Sequence, residues 1–98
     1  MSGGNRKKVG SFVGTGADLN IRTVGFRPKS VHVINEDGLC QAWWNSEMAD
    51  DSAIKQITAG TISAISSNGI TPLSDGFSLG ADTDLNVDGE KFYWECFD

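Results

Sequence analysis

Ninety-eight residues fit one domain and leave no room for a second. Two cysteines without CxxC spacing and a single histidine supply no zinc ligand set. A net charge of −5 argues against nucleic acid as the main partner, because an acidic body repels phosphate. The charge is uneven: residues 1–29 hold six basic groups against Asp18, whereas residues 30–98 hold Lys55 and Lys91 against twelve acids. A basic arm on an acidic body suits docking to other protein subunits.

Residues 1–7 (Ser, two Gly, Asn, then Arg6 and Lys7) have nothing to bury and read as a flexible basic arm before a folded domain at 8–98. They contain no apolar run, so no signal peptide is expected. A first strand is predicted over Lys8–Val13, with a turn at Gly14-Thr15-Gly16 and a second strand over 19–24. Gly25-Phe26-Arg27-Pro28 punctuates the chain. The hairpin that follows has the clearest pattern: Ser30–Asn35, a turn at Glu36-Asp37-Gly38, then Leu39–Asn45. Over 46–58 two readings stand, a short helical turn capped by Ser46 or a loop tip at Asp50-Asp51-Ser52 leading into a strand to Ala59. A strand over Gly60–Ser66, turns at Ser67-Asn68-Gly69 and Ser74-Asp75-Gly76, and a strand at Phe77–Leu79 come next. An acidic, turn-rich stretch over 80–90 then precedes the alternating strand Lys91–Phe97. Seven or eight short strands at this spacing predict an all-β domain, a β-sandwich or small barrel.

Residues suited to chemistry are sparse. No nucleophile elbow, phosphate-binding loop or HExxH motif occurs, and His32 reads as a core or interface residue of a central strand. The expectation is a non-enzymatic protein without cofactor. Asp82–Glu90 places oxygen ligands at alternate positions, as a calcium loop does. Val87 stands where such a loop needs Gly and Tyr93 where it needs a bidentate Glu, so a solvated acidic loop without metal is predicted. Cys40 and Cys96 lie among apolar neighbours and are expected as buried free thiols rather than a bridge. Trp43 and Trp44 are adjacent, so on a strand they face opposite sides, one toward the core and one toward solvent or a partner. With Arg6, Lys7 and Lys8 they are the candidate partner-interface residues. No apolar run approaches membrane-spanning length, and no membrane association is expected.

Several short motifs, in order, resemble a small β-rich domain that recurs in virion proteins of tailed bacteriophages, tail fibres above all. They are Gly14-Thr15-Gly16, Gly25-Phe26-Arg27-Pro28 before Ser30-Val31-His32-Val33-Ile34, and Trp43-Trp44. Further along come Ser67-Asn68-Gly69-Ile70, Asp75-Gly76-Phe77-Ser78-Leu79-Gly80 and Asn86–Trp94. The resemblance spans about residues 9–97, and it departs at Asn35-Glu36, where such domains often carry a lysine. It implies a structural protein of the virion, located on the capsid surface or the tail and synthesised in the host cytoplasm. Such domains usually sit inside longer fibre chains, so a chain of this length is expected to be a capsid decoration (cement) protein. It would bind the major capsid protein or other virion subunits, as a homo-oligomer and most simply a trimer. The alternative is a tail-fibre or tail-tip component that binds a host receptor or glycan.

Overall fold

The computed structural model describes residues 6–98. Among them eight strands form: β1 (Lys7–Val13), β2 (Leu19–Ile21), β3 (Ser30–Asn35), β4 (Cys40–Asn45), β5 (Ser52–Gln56), β6 (Ile62–Leu73), β7 (Gly76–Leu79) and β8 (Lys91–Phe97). All pairings are antiparallel within one sheet ordered β1-β8-β3-β4-β5-β6-β7-β2. The all-β expectation holds. β1 and β2 stand at the two ends of this order, yet only residues 14–18 join them. So short a link spans at most about 20 Å, so the sheet must curl its ends toward each other into a half-barrel.

Alternation decides which face closes. Val31 and Val33 on β3, Ala42 and Trp44 on β4, and Phe92, Trp94 and Cys96 on β8 point inward and are buried. Phe77 and Leu79 of β7 and Ile70 of β6 complete the wall. Each of these larger side chains contributes about 1.5–3 kcal/mol by leaving water. Trp94 lies against the backbone of Gly10 on β1, where any Cβ would overlap the indole. Only glycine permits that approach.

Two loops plug the ends of the half-barrel. At one end β2 stops at Ile21, short of the predicted 24, because the chain turns across the opening and buries Val24, Phe26 and Pro28 in alternation. Arg22 is held there by Asp75 at 2.8 Å. At the other end 80–90 folds inward and buries Leu85 and Asn86. Asn86 ties this loop to the β1–β2 link: Thr15 N–H donates to its Oδ1 at 2.9 Å, and its Nδ2 donates to Ala17 O and, at 3.3 Å, to Gly80 O.

Three expectations are corrected, and one open alternative is decided. Lys7 already belongs to β1, and Arg6 is ion-paired with Asp98 at 2.6 Å, so neither is part of the flexible arm expected over residues 1–7. The rest of it, residues 1–5, lies outside the described residues. Ser67-Asn68-Gly69 is not a reversal but part of the single strand β6, with Ile65 paired to Ala53 and Ile70 paired to Ser52. Residues 66–69 thus bulge out of the ladder, and Asn68 takes a φ of 58°. Residues 46–51 form a turn and β5 begins at Ser52, which selects the second of the two readings for that stretch, although β5 ends at Gln56 and not at Ala59. The acidic loop is not simply solvated. Lys55 reaches both carboxylates, 3.0 Å from Asp82 and 2.7 Å from Asp84, with side-chain exposures of only 12% for Lys55 and 11% for Asp82.

Candidate functional site

The outward face of β1, β8, β3 and β4 carries what the core leaves over. Its side chains form two rows across the strands. Val9, Glu95, His32, Trp43 and Ile54 follow one another in the first, and Ser11, Tyr93, Ile34, Gln41 and Gln56 in the second. Ile34 on β3 and Trp43 on β4 stand on this solvent-facing surface among polar groups. Trp43, Tyr93 and Phe97 remain 37%, 40% and 40% exposed.

Hydrogen bonds hold these side chains in place. His32 stacks flat on Trp43, with ring centroids 5.4 Å apart and planes 5° from parallel. Gln41 donates through Nε2 to Gln56 Oε1 at 2.9 Å, which leaves Gln41 Oε1 to accept from His32 Nε2 at 3.0 Å. The other imidazole nitrogen lies 3.8 Å from Glu95. A ladder His32–Gln41–Gln56 therefore crosses the face, and the imidazole it fixes presets the stacked Trp43 ring. Tyr93 donates its hydroxyl to Glu36 Oε1 at 2.9 Å, and this bond to a carboxylate, with the nearby charge, raises the phenol above its ordinary pKa. At one end of the face a groove of about 470 Å³ opens between Ile34, Leu39, Gln56, Ile57 and Tyr93. A smaller hollow of about 280 Å³ lies at His32, Trp43, Glu95 and Phe97. Flat apolar rings beside amides pointing outward can stack a planar or puckered ring and hydrogen-bond its rim, or receive an apolar loop of another protein.

The residues singled out from sequence separate. Trp43 faces outward, as one of the pair must. Trp44 faces inward at 3% exposure and donates its indole N–H to Ala49 O at 3.0 Å, so it is core and not interface. The guanidinium of Arg6 is committed to Asp98 and lies 5.0 Å over Phe26, so it is not free to run along an acidic shell. Lys7 lies 5.5 Å over Phe97 on the outer face, and Lys8 takes the opposite side of β1 across from Cys96. Sequence reasoning missed Tyr93, Phe97, Gln41 and Gln56. The strict alternation of Lys91–Phe97 carried the signal for the first two, since its odd-numbered residues fall opposite the core set.

His32 and Cys40 do not converge: His32 faces outward and Cys40 inward. Cys96 is fully buried, and burial pushes its thiol up to about 12. Cys40 lies level with Asn35 and Phe92, and Cys96 level with Val31, four residues along and two strands away. Such positions are about 15 Å apart in a sheet, far beyond disulfide reach; both thiols are free. Among the described residues no helix is long and apolar enough to cross a membrane, and no three metal-ligating side chains cluster. No protein-family model, curated protein or solved structure matches the chain.

Proposed function

We propose that this chain is a non-enzymatic structural protein of a tailed-bacteriophage particle, a capsid decoration protein that grips assembled shell subunits through the outer face of its sheet. The observation that carries the reading is the preset aromatic surface of Trp43, Tyr93 and Phe97 on an otherwise well-packed half-barrel. Exposed rings already positioned, Trp43 by stacking on His32 and Tyr93 by its bond to Glu36, lose little entropy on binding and serve as interface anchors. The ordered motifs shared with tailed-phage virion domains supply the particle context. A protein that binds the assembled lattice and not the loose subunit stabilises the shell by mass action.

The test is quantification of this protein against the major capsid protein in purified particles, alongside rebinding of wild type and Trp43→Ala to stripped shells. Several hundred copies per particle, and at least tenfold weaker rebinding by the variant, are expected. Full occupancy by Trp43→Ala removes the outer face from the argument.

A second reading is favoured by one observation. Gln41 and Gln56 lie beside Trp43, so ring stacking and amide hydrogen bonds stand side by side, as recognition of a host glycan requires. It places the protein at the tail tip, with a copy number near that of the fibres.

A further inference from the structure

β1 ends the sheet. It pairs with β8 on one side, and among the described residues no strand pairs its other side. At one end of this pair the Gly14 N–H donates to Glu90 O at 2.9 Å; at the other the Asp98 N–H donates to Arg6 O at 3.0 Å. Hydrogen-bonded pairs alternate along an antiparallel ladder, so these two bonds fix the parity between them. Even-numbered residues bond β8. Lys7, Val9, Ser11 and Val13 turn their N–H and C=O groups to the open edge. An open edge of this length is a template for another strand.

We propose that the open edge of β1 pairs antiparallel with β1 of a second copy of this chain, about a two-fold axis at Gly10. Full overlap of Lys7–Val13 with itself sets Lys7 opposite Val13 of the second copy, and Val9 opposite Ser11. All four outward-turned residues then fall in hydrogen-bonded pairs, giving about eight bonds across the seam. Gly10 meets Gly10 at the narrow, non-hydrogen-bonded position, where strands approach to about 4.5 Å between Cα atoms. No lysine faces a lysine. Val9 and Val13, 57% and 55% exposed, gain neighbours on the outer face.

Charge favours the same partner. Beside the Arg6–Asp98 ion pair, Lys7 and Lys8 start β1. Its far end is bonded to the acidic loop, through Gly14 to Glu90 and through Gly89 N–H to Gly14 O, with Asp88 beside Gly16. Antiparallel pairing lays each basic end along the other copy's Asp88 and Glu90, where Lys91 is the neighbouring cation. The shallow hollow lined by Lys7, Lys8 and Val9 lies on this edge. The two outer faces then form one continuous surface, whatever that surface binds. A two-fold pair is the unit, and any three-fold cluster needs a different contact.

Light scattering across the micromolar range tests the pair. Wild type is expected at twice the 10.5 kDa chain mass, with the population shifting to single chains as salt rises. Ser11→Pro removes an N–H that bonds nothing within the chain, so it is expected to stay folded by circular dichroism and to run at the single-chain mass. If it fails to fold, Val9→Lys keeps the backbone intact and brings two like charges diagonally across the seam, with the same loss expected. In the double variant Lys7→Cys/Val13→Cys, oxidation by copper phenanthroline and oxygen is expected to link position 7 of one copy to position 13 of the other. Within one chain those positions are about 20 Å apart and cannot join. A wild type that stays at single-chain mass overturns the proposal, as does a folded Ser11→Pro or Val9→Lys variant that keeps the doubled mass, or absence of the 7-to-13 link.

Discussion

Two neighbouring tryptophans illustrate how one residue of register separates stability from recognition. Trp44 fills the core and its indole N–H is satisfied, so Trp44→Ala is expected to lower unfolding stability by about 3–5 kcal/mol in urea titrations. Trp43→Ala removes a half-exposed ring and is expected to lower it by about 1 kcal/mol or less while altering the outer face. Equal losses would mean that the face contributes to folding as much as the core does. Cys96 gives the molecule an alkaline weakness. Its thiol stays neutral in the fold to about pH 12, whereas the unfolded chain ionises it from about 9, so the unfolded state sheds the proton first. Stability is therefore full below pH 9 and falls between 9 and 12 by up to about 1.4 kcal/mol per pH unit. Cys96→Val is expected to flatten that slope in denaturant titrations at stepped pH. The sequence predicted both thiols as buried and both tryptophans as facing apart, because alternation is local. It left open which tryptophan faces the core.

At the scale of elements, the 80–90 loop is held by two devices that only the folded chain assembles. Asn35, buried on β3, accepts from the N–H groups of Asp37 and Gly38 and donates to Glu90 Oε1 at 2.8 Å, joining the hairpin turn to the loop. Lys55 joins β5 to the same loop through Asp82 and Asp84. Burial works against its charge, but the hydrogen bonds and attraction of the two carboxylates outweigh it and raise its pKa. Its contribution is thus complete below the ordinary 10.5 and is lost as pH rises through the raised value. Lys55→Met leaves two carboxylates without their cation and is expected to cost about 1–3 kcal/mol at neutral pH, discounted for the exposed side of Asp84. That difference should close as pH rises through the raised value in parallel titrations, and a constant gap would show that packing, not charge, is at work. From sequence these acids resembled a failed calcium loop, since a partner 27 residues away leaves no local trace. The β3–β4 hairpin was legible for the opposite reason, its turn and its pairing both being local. β6 was misread because Asn68-Gly69 has the composition of a turn. The bulge keeps it a strand: Gly69 N–H donates to Asp51 O at 3.1 Å and Gly69 O accepts from Gly80 at 2.9 Å.

Across the whole molecule the sequence predicted the class, the strand number and most strand positions, but not the order in which strands meet. That order rests on pairings between distant segments, and periodicity is silent about them. β8, last in the chain, lies between β1 and β3, so its partners come from the opening third of the sequence. Without β8, β1 has no neighbour and β3 keeps a bare edge, so the half-barrel is completed only when this segment docks between them. Closing loops that long costs entropy before any contact repays it, and folding is expected on the millisecond-to-second scale typical of such non-local topologies. Stopped-flow tryptophan fluorescence after dilution from urea would register it, with Trp94 reporting directly from β8. Until that step is complete, the hairpins already formed expose their unfinished edges to every other nascent copy nearby. How long the chain stays open to self-association is therefore set by how quickly one seven-residue segment finds its gap.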